Sequence, residues 1–413
     1  MNDKNLDSQK SKLKEMKKAP ELRFKGFSDD WEQRKFKDFS KKTGKKNSKD
    51  LDLPAYSVSN KSGLISQTEQ FDGSRLDSLE KTSYKFVEPN EFAYNPARIN
   101  VGSIAFNNLG MAVIVSSLYV VVKMSEDLDN GFILQFIKSP TFIKEVKRNT
   151  EGSVREYLFY ENFANIKFPF AKNKEEQQKI GIFFQQLDET IVLHQRKLEK
   201  LKQLKLAYLQ QLFPKNGENT PRIRFAYFEE NWEQRKAKEI FIAKVKKGKP
   251  NLPVLSVTQD FGVVYRNEVG IDIKYDNSTL SNYKIIEPGD FVISLRSFQG
   301  GFELSDKLGI TSPAYTIFIP KNLDHHNQLY WKAQFKTKKF IDSLKIVTFG
   351  IRDGKSISFS EFGDLKIMYP IDVDEQRHIG ILLQKLNQTL ALHQSKIDKL
   401  KSIKQSLLQK MFI

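Results

Sequence analysis

Apolar residues recur at alternating spacings of four and three along two stretches of the chain. The first stretch contains Leu187, Ile191, His194, Leu198, Leu201, Tyr208 and Leu212. The second contains Leu386, Leu390, His393, Ile397, Leu400, Leu407 and Met411. This spacing is the heptad pattern of a helix that packs along a narrow seam, and Lys205 and Lys404 interrupt it at matching places. The pattern predicts two coiled-coil helices, at 173–213 and 372–413.

Both helices begin with a capping-box pattern, an N-cap residue followed three positions later by Glu, at Asn173–Glu176 and Asp372–Glu375. From Glu175 to Phe213 the first helix would be ~58 Å long. A narrow apolar stripe of that length is not buried within a small domain. We therefore expect the two helices to pair as an antiparallel coiled coil, with pairing between two chains as the alternative.

The rest of the chain alternates short β-rich runs with helical spacings. The β-rich runs include 112–123 and 314–320, and the helical spacings include 131–147 and 327–345. The sequence thus predicts a mixed α/β protein in which the two long helices separate two tandem α/β domains, related by a pseudo-twofold axis.

The chain is also an internal repeat. "WEQRK" occurs at Trp31 and again at Trp232, an offset of 201, and "LPAYSV" at Leu53 matches "LPVLSV" at Leu252, an offset of 199. "YKFVEPNEF" and "EQQKIG" recur at 199 as "YKIIEPGDF" and "EQRHIG". The predicted organisation is a disordered basic tail, a first domain, the first helix, a linker, a second domain and the second helix. Besides the helices, these segments are 1–20, 21–172, 214–222 and 223–371.

Composition narrows the class of protein. Cysteine is absent, which excludes disulfides, thiolate metal sites and cysteine nucleophiles. The five histidines have no metal-ligand spacing. His194 and His393 in the seam have two possible roles. They are polar residues that set the register of the coiled coil or, alternatively, metal ligands or a pH switch. With neither a secretory signal nor a membrane-spanning run, we expect a cytoplasmic protein.

The formal net charge is +17. Residues 175–213 carry six basic and five acidic side chains, so most of the excess lies outside the first helix. This charge favours a polyanionic partner such as nucleic acid, although a solvated lysine-rich surface would give the same total.

No Walker loop, GxGxxG, GxSxG or paired catalytic carboxylates are recognisable. "FAYNPARIN" at 92–100 lacks the second proline and the aromatic residue of an amino-methyltransferase motif. The turns "GSVREY" at 152–157 and "GIRDGK" at 350–355 occupy equivalent places in the repeat and combine glycine with basic residues. They fit loops that present Arg155, or Arg352 and Lys355, to DNA.

Over residues 21–413 the chain resembles the specificity subunits of type I restriction–modification systems. The resemblance rests on the tandem plan, on the repeated "KNKEEQQKIGIFF" and "DVDEQRHIGILL" helices, and on "RFKGFSDDWEQRK" and "NPARINVGSIAFN". It implies that each domain is a target-recognition domain for one half of a bipartite DNA site, and that the coiled coil sets the gap between the halves. Because the domains differ, the target would be asymmetric.

The resemblance also implies roles for residues and partners. The candidate DNA contacts are Arg98, Arg155, Arg296, Arg352 and Lys355, each of which could instead pair with a surface carboxylate. Arg34 and Arg235 of the two "WEQRK" segments have a structural role or, alternatively, contact DNA. The candidate contacts to modification (methyltransferase) subunits, two of them expected, are Gln185, Gln195, Gln384 and Gln394.

The resemblance implies a non-catalytic chain without a cofactor or metal of its own. S-adenosylmethionine, ATP and magnesium are expected on partner subunits, including restriction subunits that translocate DNA. Two other functions remain open: a stand-alone coiled-coil regulator that binds an operator, and an enzyme that methylates or cleaves DNA.

Overall fold

A computed structural model gives the structure of the chain, and it describes residues 19–60, 63–70, 81–150, 157–215, 217–258, 261–268, 277–294, 301–347 and 357–412. The chain divides into two compact units. Unit 1 is Met1–Gln195 with Ser395–Ile413, and unit 2 is Arg196–Gln394. The predicted mixed α/β class, with two tandem β-rich domains and long helices that pack together, is confirmed.

The strands of unit 1 form one two-stranded and two four-stranded sheets within the described residues. The strands are β1 (Glu32–Lys35), β2 (Ser40–Thr43), β3 (Ala55–Ser59), β4 (Gly63–Ser66), β5 (Lys85–Val87), β6 (Glu91–Tyr94), β7 (Ile104–Phe106), β8 (Val113–Val115), β9 (Val120–Met124) and β10 (Lys167–Phe170). Their orders are β1-β10, β2-β9-β6-β7 and β4-β3-β8-β5. All pairs are antiparallel except β3 with β8.

Unit 2 repeats this plan. Its strands are β11 (Glu233–Lys236), β12 (Phe241–Ala243), β13 (Leu255–Thr258), β14 (Gly262–Tyr265), β15 (Lys284–Ile286), β16 (Phe291–Ile293), β17 (Phe302–Leu304), β18 (Gly309–Thr311), β19 (Thr316–Pro320) and β20 (Lys366–Tyr369). The orders β11-β20 and β12-β19-β16-β17 match unit 1. The antiparallel pairs β13-β14 and β15-β18 meet through a parallel bridge between Val254 and Ile310, as β3 meets β8.

Each unit has four short helices within the described residues, and the last three of each unit lie at equivalent places. In unit 1 they are α1 (Gln67–Gln70), α2 (Asn130–Ile137), α3 (Pro140–Asn149) and α4 (Tyr160–Phe163). In unit 2 they are α6 (Ala237–Ile240), α7 (Gln328–Gln334), α8 (Lys338–Val347) and α9 (Phe359–Gly363). The helical spacing at 131–147 thus forms two helices, because the Ser139 side chain caps α3 and Pro140 occupies its first turn.

The two long helices are α5 (Lys174–Gln211) and α10 (Val373–Met411). Each begins at the predicted N-cap: Asn173 Oδ1 accepts from the Glu175 N–H at 2.8 Å, and Asp372 Oδ1 accepts from the Asp374 N–H at 2.7 Å. The second half of the capping-box prediction is wrong, since the side chains of Glu176 and Glu375 bond to distant residues instead.

A phenylalanine-rich core fills each unit. In unit 1, Phe36, Phe132, Phe136 and Phe168 are fully buried between sheet and helices. The end of α10 completes this core, since Phe412 lies 5.3 Å from Phe132 and 6.4 Å from Phe184 of α5 between ring centroids. The last residues of the chain therefore belong to the same core as the first domain.

The end of α5 completes the core of unit 2 in the same way. Leu212 and Phe213 are buried there, and the Phe213 ring lies 6.1 Å from Trp232 and 5.8 Å from Tyr330. Each unit thus contains the first part of one long helix and the last part of the other.

Candidate nucleic-acid interface

A buried ion pair joins the body of each unit to the start of its long helix. In unit 1, the Arg23 guanidinium donates to both carboxylate oxygens of Glu176, at 2.5 and 2.8 Å, and the Trp31 indole donates to Glu176 Oε2 at 3.2 Å. The Glu176 side chain is fully buried and that of Arg23 is 12% exposed. The hydrogen bond to Glu176 raises the pKa of Arg23, so the guanidinium stays charged.

Unit 2 contains the same three contacts. Arg224 donates to Glu375 Oε1 at 2.7 Å and to Oε2 at 2.8 Å, and the Trp232 indole donates to Glu375 Oε1 at 3.4 Å. The hydrogen bond to Glu375 likewise raises the pKa of Arg224. The repetition of "WEQRK" therefore has a structural cause, since its Trp helps satisfy a buried carboxylate at the start of the long helix.

The next residue of each long helix fixes a second element. Gln177 donates to the Ala171 carbonyl at 2.7 Å and accepts from the Asp129 N–H at 2.8 Å, at the start of α2. Gln376 does the same with Pro370 and Asn327, at 2.8 Å each, at the start of α7. Both glutamines are fully buried.

A glycine one turn further along lets the helices approach closely. A Cβ on Gly181 would lie 2.8 Å from Asp129 Oδ1 and 3.0 Å from the Phe132 nitrogen. A Cβ on Gly380 would lie 2.6 Å from the Tyr330 nitrogen. We call these residues the helix junctions: Arg23, Trp31, Glu176, Gln177 and Gly181 in unit 1, and Arg224, Trp232, Glu375, Gln376 and Gly380 in unit 2. They hold each α/β body at a defined orientation on its helix.

The basic side chains of "WEQRK" make contacts within the chain. Arg34 lies 3.0 Å from Glu32, and its guanidinium carbon lies 3.9 Å from the Phe170 ring centroid. Arg235 lies 2.7 Å from Glu233. These pairs lie on β1 and β11, which are hydrogen-bonded to β10 and β20 directly before the long helices.

Among the predicted DNA contacts, the structure describes Arg98. Its side chain is exposed in the turn that follows β6. Its N–H donates to the Asn95 carbonyl, and its own carbonyl accepts from the N–H groups of Val101 and Ser103, so the backbone of this turn is well fixed. Arg155, Arg296, Arg352 and Lys355 lie outside the described residues.

The predicted seam positions lie on the inner side of the long helices. Ile191, Leu198, Leu386, His393 and Ile397 are buried, whereas Leu187, His194, Leu201, Leu390 and Leu400 are half-buried. The predicted outward residues Gln185, Gln195, Gln384 and Gln394 are exposed.

The two lysines that interrupt the seam differ in their surroundings. Lys404 donates to both carboxylate oxygens of Asp188 in unit 1, at 2.6 and 2.7 Å. At the position of Asp188 in the second copy the chain has Asn387, and burial together with Lys336 and Lys332 lowers the pKa of Lys205. The repeated lysines therefore have different electrostatic roles.

The part of the chain that the structure describes contains no group of three or more His, Asp or Glu side chains arranged to hold a metal ion. None of its helices has the length and apolar character needed to cross a membrane.

Comparison with known proteins gives a family and a fold. The profile of the type I restriction modification DNA specificity domain matches residues 28–203 and again 229–402. A crystal structure of the type I restriction–modification system S subunit from M. genitalium has a TM-score of 0.61 at 14% identity, covering 96% of this chain and 99% of that one. The HsdS subunit from Thermoanaerobacter tengcongensis matches with a TM-score of 0.42 at 16% identity, covering 92% and 96% of the two chains. No curated protein matches by sequence.

Proposed function

Because the chain belongs to the family of type I restriction modification DNA specificity proteins, we propose that it selects the DNA sequence on which a type I restriction–modification complex acts. The observation that carries this proposal is the presence of two specificity domains in one chain, each lying mostly within one compact unit. Each unit would read one half of a bipartite site. Their loops differ in sequence, so the two halves would differ and the site would be asymmetric.

The structure offers a physical basis for reading two separate half-sites. Base edges in the major groove carry a pattern that distinguishes all four base pairs, but a reader must hold its side chains in register with them. The helix junctions hold each body at a defined orientation on its long helix. In this proposal α5 and α10 act as the spacer that fixes the gap between the halves.

Catalysis would belong to partner subunits. We propose that modification subunits, two per complex, dock on the long helices with Gln185, Gln195, Gln384 and Gln394 on the exposed side. S-adenosylmethionine, ATP and magnesium would be bound by those subunits and by restriction subunits rather than by this chain. The complex would act in the cytoplasm, where the DNA is.

The direct test is adenine methylation across the genome of the source cell, with the gene intact and deleted. The proposal expects one asymmetric motif with an internal gap to lose methylation on deletion, and to regain it when the gene is restored. An unchanged methylation pattern in a strain with active modification subunits would contradict the proposal. Operator binding by the isolated chain would then be examined.

Arg98 gives a prediction at the level of one residue. Its exposed side chain extends from a fixed turn and has no ion pair within the described part of the chain. The variant Arg98→Gln is expected to lose ~1–3 kcal/mol of DNA-binding free energy and to relax one position of the motif. Methylation sequencing of cells that carry the variant measures this change.

The matched control is Arg148→Gln. Arg148 is also exposed and lies in unit 1, on α3, but it pairs with Glu145 at 2.7 Å. The control should keep both the motif and the extent of methylation. If Arg98→Gln keeps them too, Arg98 does not contact DNA.

A further inference from the structure

A pair of adjacent lysines occurs at the same place in both units. In unit 1, Lys46 forms an antiparallel bridge with Lys85 of β5, directly beside a hydrogen bond from the Phe86 N–H to the Lys45 carbonyl at 2.9 Å. In unit 2, the equivalent bond runs from the Ile285 N–H to the Lys246 carbonyl at 2.8 Å. Lys247, the next residue, is close enough to Lys284 of β15 for the two charges to interact.

The inner lysine of each pair is held in the same way. Lys85 Nζ donates to the carbonyl of Tyr119 at 2.7 Å, and Lys284 Nζ donates to the carbonyl of Tyr315 at 2.5 Å. Both tyrosines directly precede an equivalent strand, β9 or β19. Each contact leaves two further N–H donors on the ammonium group, since a lysine can donate three hydrogen bonds.

Like charges on neighbouring backbone segments repel, so such a pair destabilises the fold when no anion is bound. Within the described residues, neither Lys46, Lys85, Lys247 nor Lys284 has a carboxylate within ion-pair distance. Burial is the main cause that lowers the pKa of Lys85, and Lys42 and Lys46 add to it. Burial and Lys247 lower the pKa of Lys284. A bound anion would offset both the repulsion and the loss of hydration.

We propose that the two lysine pairs, Lys46 with Lys85 and Lys247 with Lys284, each bind phosphate oxygens of the backbone of duplex DNA. This inference rests on the proposed function, because that function places one DNA half-site against each unit. The outer lysine is exposed and the inner one is half-buried and held by a carbonyl, so each pair offers two ammonium groups to neighbouring phosphates. Lysine suits this role as a compact charge that needs no planar partner.

Phosphate contacts position a protein on DNA and carry no sequence information of their own. The lysine pairs would therefore fix the register of each unit on the duplex, and residues elsewhere in the unit would read the bases. Unit 1 has additional charge near its pair, since Lys42 also contributes to the potential at Lys85. In unit 2, Lys246 is partly neutralised by Glu287 at 3.6 Å.

The test measures how DNA affinity depends on salt. The full chain is purified together with its modification subunits and titrated with two duplexes, from about 50 to 200 mM salt. One duplex contains the motif whose methylation depends on this gene, and the other has a scrambled sequence. The slope of log K against log salt concentration is negative, and each phosphate contact adds about 0.9 to its steepness. The double variant Lys46→Gln, Lys247→Gln is therefore expected to reduce the steepness of the slope by about 1.8 and the affinity at 0.15 M salt by roughly 30-fold.

Three matched variants make the test specific. Lys46→Arg with Lys247→Arg keeps both charges and should keep the slope. Lys85→Gln with Lys284→Gln should reduce its steepness as the first double variant does. Lys200→Gln with Lys399→Gln removes the same charge from equivalent exposed positions of α5 and α10, and should leave it unchanged.

The outcomes separate this inference from the proposed function. If the complex that contains the native chain binds the motif duplex and the scrambled duplex equally, the proposed function fails. If it prefers the motif, but both glutamine variants of the lysine pairs keep the original slope, the lysine pairs do not bind phosphate and the function stands. An equal loss of slope in the control variant would also overturn the inference, because the effect would then come from net charge.

Discussion

Replacing Glu176 with alanine is expected to destabilise unit 1 by about 3–5 kcal/mol, the cost of leaving a buried charge without its partner. Arg23 would keep its charge, with its side chain 12% exposed, and would lose both carboxylate bonds. The Trp31 indole would lose its acceptor as well. Hydrogen exchange followed by mass spectrometry would show faster exchange in peptides of unit 1.

The repeat supplies the comparison. Glu375→Ala should produce the same loss of protection in unit 2, toward the lower end of that range, since Arg224 keeps a bond to the Glu230 carbonyl at 2.6 Å. Glu175→Ala is the matched control, one residue away on the exposed side of α5, where Glu175 pairs with Lys179. It should cost only a few tenths of a kcal/mol. Equal effects of Glu175→Ala and Glu176→Ala would contradict a stabilising role for the buried pair.

Replacing Phe412 with alanine is expected to destabilise unit 1 by about 3–5 kcal/mol, the usual cost of removing a buried phenyl ring. The ring is 3% exposed and lies within 6.3 Å of the rings of Trp31, Phe132 and Phe136, measured between centroids. The loss should appear as faster exchange in α2 and β10, although the substitution is next to the last residue of the chain.

Two variants provide a control and a comparison for Phe412→Ala. Gln409→Ala changes an exposed residue of the same helix end and should leave exchange in unit 1 unchanged. Phe213→Ala removes the equivalent ring from unit 2 and should affect α7 and β20 there. If Phe412→Ala leaves the exchange of α2 and β10 unaltered, the end of the chain does not contribute to the first core.

The sequence predicted the long helices well because their signal is local and repeated. The heptad spacing, the N-caps at Asn173 and Asp372, and the exposed glutamines all follow from positions a few residues apart. In the structure these helices begin at Lys174 and Val373. The partner of the glutamate three residues after each cap was wrong, because it is not a local property.

Glu176 shows why the ion-pair partner of such a glutamate is not predicted from the sequence. Its cation, Arg23, lies 153 residues earlier in the chain and is one of 67 lysines and arginines in the sequence. The signal that could have found it is the repeat itself. Arg, Trp and Glu recur together in the second copy as Arg224, Trp232 and Glu375.

Matching residues do not guarantee matching environments. Lys205 and Lys404 occupy the same seam position, yet Asp188 neutralises Lys404, and the second copy has Asn387 at the equivalent place. Lys85 and Lys284 show the converse, since two ordinary lysines of β-strands acquire the same carbonyl contact and the same neighbouring lysine in both units.

By itself, the sequence determined the duplicated plan, the two long helices, the mixed α/β class and the family, because each of these is written in local spacing or in repeated segments. Only the tertiary structure decided that the end of the chain completes the core of the first unit. It also decided that Glu176 and Glu375 join each body to its long helix by a buried ion pair, and that lysines from separate segments lie side by side. Those contacts join residues far apart in the chain, and the free energy of burying a charge or a ring depends on what surrounds it after folding.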